Sequence, residues 1–535
     1  MLRLTEIRLL VDHDDAELQQ AVLNRLDIPA EQLLGLTVYR RNYDARKKTA
    51  IVFSYTVDVE VKDEQTLLDR FSGHPHIGKT PDMAYRFAVH APHTSFVRPV
   101  IVGCGPCGLF AALILAQSGF KPIILERGKN VRERTQDTFG FWRDRELNPE
   151  SNVQFGEGGA GTFSDGKLHT QIRDPKHYGR KVLTEFVKAG APEEILYIGK
   201  PHIGTFRLVR IIEQMRREIL SLGGEFHFQS RVDDIWVENG HIQGVILKNG
   251  ETISANHVIF AVGHSARDTF EMLYERGVYM EAKPFSIGFR IEHPQSLVDQ
   301  CRLGPFAGHP RLGAADYKLV HHCRNGRTVY SFCMCPGGTV VAAASEPGRL
   351  VTNGMSQYSR NERNANAAIV VGVTPADYPG HPLAGIALQR ELERKAFELG
   401  GANYNAPCQR VGDFLKGKPS TQTGSILPSY QPGVTPCDLG KALPDYAVCA
   451  LREAIPAFER SIPGFAMEDA VLTGTETRTS SPVRISRNRD TLESVSIKGL
   501  YPAGEGAGYA GGILSSAVDG IEVAQAVALA ITGKN

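Results

Sequence analysis

Val100-Ile-Val-Gly103-Cys-Gly105-Pro106-Cys-Gly108 carries a short apolar strand into glycines spaced Gly-x-Gly-x-x-Gly. That spacing serves pyrophosphate binding. Gly103 permits the tight turn out of the strand, Gly105 lets the backbone approach a diphosphate closely, and Gly108 lets the following helix pack on the strand. Pro106 belongs to the same loop. Leu109–Ser118 reads as a helix ended by Gly119, and its N-terminus offers free N–H groups and a positive dipole end to phosphates. Lys121–Leu125 is a second buried strand. Glu126 stands at its end, where a carboxylate can accept two ribose hydroxyls. An acid there disfavours a 2′-phosphate, so the site suits FAD or NAD rather than NADP. Arg127 beside it weakens that exclusion slightly. The glycines alone are a weak signal; strand, glycines, helix, strand and terminal acid in this order are a strong one.

Near the end of the chain, Leu500-Tyr-Pro-Ala-Gly504-Glu505-Gly-Ala-Gly-Tyr-Ala-Gly511-Gly512-Ile513 precedes an apolar helix, Leu514–Ile531. Here the chain resembles the glutathione-reductase-like flavoproteins with two dinucleotide motifs, which close an FAD site with such a segment. The resemblance implies that Gly504 and Glu505 lie along the ribityl–pyrophosphate. It also implies that Gly511, Gly512 and Ile513 aim a helix N-terminus at the flavin N1–C2=O edge, where it stabilises charge on the reduced ring. Three further segments are similar to parts of such enzymes. Phe226–Ile235 resembles the strand whose backbone, at Val232, meets adenine. Val258-Ile-Phe-Ala261-Val-Gly263 resembles their Ala-Thr-Gly strand end, with Val262 in place of Thr. Phe155-Gly-Glu-Gly158-Gly159-Ala160-Gly161-Thr-Phe-Ser-Asp-Gly-Lys167 resembles a loop that wraps the flavin. Together with Lys283–Arg290, Ser331–Gly338 and Gly474–Arg484, these segments resemble the bacterial FAD-dependent dehydrogenases of unassigned substrate that carry a small N-terminal α/β domain (NAD(FAD)-utilising dehydrogenase-like). The family implies FAD and names no reaction.

A flavin carries the hydride chemistry while the protein orients and tunes it. Four side chains are candidates on the substrate side. Arg478 and Arg484, in Thr475-Glu-Thr-Arg-Thr-Ser-Ser-Pro-Val-Arg484, share a strand face if Pro482 makes no bulge, and guanidinium groups suit an anionic or carbonyl-bearing substrate; the alternative is a solvated strand and turn. Lys167 approaches the flavin from the glycine-rich loop or stays exposed. Arg290, in an alternating strand, points into the cavity or away from it. Cys333 and Cys335 alternate on a strand and so share a face, as core packing or as a redox pair. Cys104 and Cys107 form Cys-x-x-Cys in a loop already committed to phosphate, which favours small filler residues over a redox pair.

The elements that must position these groups fall into five segments. Residues 1–72 suggest a ferredoxin-like β-α-β-β module: strand Leu2–Leu10, a helix over Glu17–Leu26 after Asp14 and Asp15, and β-rich Leu36–Tyr43 and Ala50–Val61. Residues 73–97 are a linker, whose His74 and His76 have no third ligand nearby. Residues 98–270 form the first part of an FAD-binding Rossmann domain, 271–475 an inserted mixed or antiparallel substrate domain with a hairpin turn at Asn325-Gly326, and 476–535 the return segment. The fold class is α/β.

The chain has 535 residues, 42% hydrophobic and 22% charged, with a net charge of +1. That balance gives no electrostatic reason to expect nucleic acid or an anionic membrane. The N-terminus lacks a signal-peptide core, and no stretch approaches the roughly 20 continuous apolar residues of a membrane span, so a cytoplasmic location is expected. Nine scattered cysteines suggest neither a disulfide framework nor zinc, and no metal is expected. No second Gly-x-Gly-x-x-Gly follows a strand, so electrons are expected from a small-molecule substrate, from transiently bound NAD(P)H or from a protein partner. The function expected is an FAD-dependent oxidoreductase moving hydride between flavin and a small substrate. The alternatives are an RNA-modifying flavoprotein, disfavoured by the missing basic tract, and a flavoprotein subunit of an electron-transfer complex.

Overall fold

The computed structural model describes residues 1–534. Its N-terminal unit is a four-stranded antiparallel sheet in the order Leu33–Asp44, Val52–Val61, Leu2–Leu10, Ile77–Lys79, with helices Asp15–Leu26 and Glu64–Arg70. The order is that of a split β-α-β unit. Asp14 caps the first helix reciprocally with Glu17. The unit runs to Lys79 rather than ending at 72. The last strand has only three residues, in a segment whose Gly and Pro read as connector, yet Ile77 is buried. The unit is also less separate than expected, because its apolar face shares one core with the large antiparallel sheet. Arg311 Nη1 donates to the Val11 and His13 carbonyls at 2.8 and 2.5 Å across that junction.

The nucleotide domain is built on a five-stranded parallel sheet in the order Leu500–Pro502, Val258–Phe260, Val100–Val102, Ile123–Leu125, Glu225–His227. The strands are short, and all but the edge strand Glu225–His227 are apolar runs, because helices cover one face and a three-stranded antiparallel sheet over residues 232–254, with helix Arg267–Glu275, covers the other. The last stretch of the chain therefore supplies an edge strand of the sheet that the first glycine motif begins. Helix Ile513–Ile531 then packs along helix Pro106–Gln117 in one apolar cluster. By length and composition it could cross a membrane, which corrects the expectation that no segment comes close, but 67% of it is buried inside the molecule.

The third part is a seven-stranded sheet in the order Val320–His322, Thr328–Cys335, Asn364–Val373, Phe285–Pro294, Val471–Glu476, Ala406–Arg410, Val434–Pro436. All neighbours are antiparallel except the last pair. Three of its strands, Asn364–Val373, Ala406–Arg410 and Val434–Pro436, come from residues 351–470 of the inserted segment. Asn364–Val373 is buried on both faces, so it shows no alternation to find. This sheet presents Thr328–Cys335 and Val471–Glu476 to the carboxyl ends of the parallel strands.

Candidate functional site

A cleft of about 370 Å³ opens where the parallel strands end, and Val102, Leu125 and Ala261 line its floor. In open α/β sheets this is where ligands bind. Gly103 has φ +100°, and a Cβ there would lie 2.4 Å from the Ala261 carbonyl oxygen. A Cβ at Gly108 would lie 2.0 Å from the Gly103 oxygen, so this glycine is needed for packing and does not itself line the cleft. Gly105 is different: a Cβ there would meet only the Gly159 Cα at 3.6 Å. Its absent side chain leaves cleft space rather than protein contact. Helix Pro106–Gln117 begins at Gly105 with no side-chain cap.

Glu126 is buried, and its carboxylate accepts three backbone N–H groups: Cys104 at 2.8 Å, Gly128 at 2.8 Å and Gly156 at 2.9 Å. It ties the first glycine turn to the glycine-rich loop and still lines the cleft. Arg127 is committed elsewhere. It bonds Glu150 at 2.8 Å and Asp268 at 2.8 and 2.9 Å, and lies over the Phe155 ring. From the loop, Gly159, Ala160 and Gly161 line the cleft; Gly158 does not, and its amide instead bonds the Cys104 carbonyl. Val232, Gly263, Gly504, Glu505, Gly511, Gly512 and Ile513 line it as well. Helix Ile513–Ile531 starts here without a side-chain cap, and a Cβ at Gly511 or Gly512 would meet nothing within 4 Å. Two uncapped helix N-termini, bordered by glycines that packing does not require, fit a long ligand with phosphates at one end and an electron-accepting ring at the other.

The wall beyond the Ile513 helix is contributed by Lys167, His169, Phe332, Cys333, Asn353, Glu476 and Arg478. Lys167 donates to the Met334 carbonyl and stands 3.9 Å from Asp165. Burial alone would lower its ammonium, but Cys333, Cys335 and Asp165 outweigh it and hold the group above its ordinary value. Burial raises the Glu476 carboxyl to about 7 against the pull of Arg290, and raises Glu505 to about 7 against Lys283. His264 is driven down to about 3 by burial and by Arg478 and Arg267, so it is a neutral imidazole.

The three arginine candidates do not offer a guanidinium to the cleft. Arg478 reaches the cleft edge, but its fork is filled. Nε and Nη2 bond the two Glu393 oxygens at 2.9 Å each, and Nη1 bonds Ser265 at 3.0 Å and Ser345 at 2.6 Å. Arg484 is exposed, pairs with the short strand Met280–Ala282 and does not line the cleft. The two therefore do not share a face, because the chain leaves the strand after Glu476 and rejoins one only at Val483. Arg290 is wholly buried behind the wall, bonded to Glu476, to Asn366 Oδ1 at 2.7 Å and to the Cys333 carbonyl at 2.9 Å. Only Lys167 remains a free candidate. Glu476 was missed; it stands two residues before Arg478, and nothing in its own segment marks its burial.

A family model described as "FAD-dependent protein, C-terminal domain-like" matches residues 284–479, and a domain of unknown function matches residues 1–60. Among solved structures the chain is similar to glycine oxidase from Bacillus cereus, at 12% identity and a TM-score of 0.36 over 82% of this chain and 98% of that one. It is similar to L-amino acid deaminase from Proteus vulgaris, at 12% identity and a TM-score of 0.38 over 83% and 97%. An uncharacterized protein of Clostridium beijerinckii is 49% identical over 526 residues, 98% of both chains. FAD is the cofactor, and the cleft fits it. The chain belongs to one family with the Clostridium beijerinckii protein, a family of FAD-dependent proteins.

Proposed function

We propose that this protein is an oxidoreductase of the glutathione-reductase-like type that moves a hydride between FAD and a small organic substrate. The observation that carries this is the meeting, in one cleft, of the uncapped Ile513 helix start and a titratable wall made by Lys167, Cys333 and Glu476. Bound FAD supplies the hydride chemistry. The first helix, beginning at Pro106, holds the pyrophosphate, and Gly504 and Glu505 run beside it. Val232 and Ala261 meet the adenosine by backbone, and Glu126 keeps a remaining lone pair for ribose. The Gly511–Ile513 turn stabilises negative charge at the ring.

On the substrate side, Glu476 exchanges a proton near neutral pH, and Lys167 sets a positive charge on the same wall. Arg267, Arg478 and Glu393 form a buried frame that keeps the wall in place. Electrons come from the substrate, from transient NAD(P)H or from a protein partner, in a cytoplasmic setting and without nucleic acid. The test is anaerobic bleaching of the purified yellow protein with small-substrate panels and with NADH and NADPH. Recovery of NAD alone from the denatured protein, or a flavin that no panel member and neither nucleotide reduces, rejects the proposal.

A further inference from the structure

Strand Thr328–Cys335 keeps its ladder with Asn364–Val373 as far as Phe332 opposite Ala368, then slips before Cys335 meets Asn366. The residue at the slip is Cys333, at φ +43°. A side chain other than glycine in this region is costly and persists only where its surroundings hold it. Here they do. Lys167 donates to the Met334 carbonyl, and Arg290 Nη2 donates to the Cys333 carbonyl at 2.9 Å while standing 3.7 Å from Cys335 Sγ. The consequence is a matched pair. Cys333 is half-buried on the cleft wall, Cys335 is wholly buried behind it, and the Cys335 thiol donates to the Cys333 carbonyl at 3.3 Å, which folds the second cysteine back against the first.

We propose that Cys333 and Cys335 are a dithiol–disulfide pair that exchanges two electrons with FAD across the cleft. This rests on the ring end of FAD lying beside Ile513 and Lys167. In the reducing direction the S–S bond breaks and two S–H bonds form; the two electrons and two protons come from reduced FAD, which returns to its oxidised form. In the other direction the same atoms and electrons run back. Cys333 is the thiol that meets the cleft and Cys335 the one that resolves. The neighbouring Cys335 thiol, with Lys167 and Arg290 close by, holds the Cys333 thiol below its ordinary range, while Cys333 and burial hold Cys335 well above. An electropositive, partly accessible setting of this kind favours the reactive thiolate. The other cysteine pair by the cleft shows the contrast. Cys104 and Cys107 are sealed, and burial pushes both well above the ordinary thiol value. The second reactant that fits such a pair is a small thiol or disulfide entering the same cleft.

The test is an electron count. Holoprotein is oxidised with diamide, desalted and titrated anaerobically with dithionite while flavin absorbance is followed, and peptides spanning Cys333 and Cys335 are mapped by mass spectrometry before and after. The expected result is four electrons per FAD, with a Cys333–Cys335 crosslink at the start and two free thiols at the end. Cys333→Ser and Cys335→Ser each then take up two, while the Cys104→Ser, Cys107→Ser double variant still takes up four. Cys335→Ser leaves a lone thiolate beside the ring and gains a long-wavelength charge-transfer band. Two electrons in the wild type, with both cysteines still alkylated after diamide, overturns the proposal, as does a crosslink left intact once the flavin is bleached. A protein whose bound flavin no substrate or nicotinamide donor bleaches, yet which takes up four electrons from dithionite, instead removes the substrate reading and leaves the pair standing.

Discussion

The Glu126 carboxylate accepts the Gly156 amide at 2.9 Å while also accepting Cys104 and Gly128, so one acid organises both loops that border the phosphate end of the cleft. Glu126→Ala strips three buried N–H groups of their acceptor. Each loss of this kind costs about 1–3 kcal/mol, so thermal stability falls together with FAD affinity. Differential scanning fluorimetry and FAD titration of stripped protein check this. Equal melting temperature and unchanged FAD binding reject the assignment.

The three motif glycines separate packing from ligand space. Gly105→Ala places its Cβ in ordinary contact, 3.6 Å from Gly159 Cα, so the melting temperature of FAD-free protein stays within the small range of a surface change while FAD affinity drops. Gly103→Ala and Gly108→Ala meet carbonyl oxygens at 2.4 and 2.0 Å and lower the yield of folded protein itself. If Gly105→Ala binds FAD like wild type, the pyrophosphate does not pass over that residue.

Arg478→Ala is expected to destabilise the protein rather than blunt recognition of an anion. Glu393 is held well below the ordinary carboxylate range, against burial, by Arg267 and Arg478. Removing one partner from a buried ion pair costs about 3–5 kcal/mol; the retained Arg267, bonded to Glu393 at 2.7 Å, keeps the loss at the low end. Arg478→Lys does not restore it, because an ammonium cannot span both carboxylate oxygens. A variant of wild-type stability that loses only substrate-dependent bleaching returns Arg478 to the substrate side.

Glycines and strand ends were legible because backbone geometry leaves few residue choices: Gly103, Gly105 and Glu126 carry their constraint in their own spelling. The N-terminal unit was legible up to its third strand, since a half-buried strand alternates. The fourth, Ile77–Lys79, is too short for any period to show. The arginines misled for a different reason. Arg290, Arg478 and Arg484 are equally plausible ligand holders as letters. What separates them is the position of Glu476 and Glu393, the second of which comes from helix Ala384–Leu399, far from the others in sequence. Likewise the Cys333 slip depends on a ladder with Asn364–Val373 that local alternation does not reveal.

Glu505 makes stability depend on pH in a defined direction. Burial raises its carboxyl from 4.5 to about 7 in the folded protein, more than Lys283 pulls it down. Below about 4.5 both folded and unfolded chains hold the proton, and the residue costs nothing. As pH rises from there, the unfolded chain releases its proton first, so stability is lost progressively until the folded group titrates near 7 and the loss levels off. Glu505→Gln is neutral throughout and escapes this loss. The melting temperature of FAD-free Glu505→Gln, relative to wild type, therefore climbs between pH 4.5 and 7 and is flat above. The ceiling on the gain is about 3 kcal/mol, at about 1.4 kcal/mol per pH unit, and access of Glu505 to the open cleft reduces it. Glu476 titrates in the same window but is present in both proteins, so it cancels in the difference. A difference independent of pH would mean that Glu505 stays solvated and ionised in the cleft.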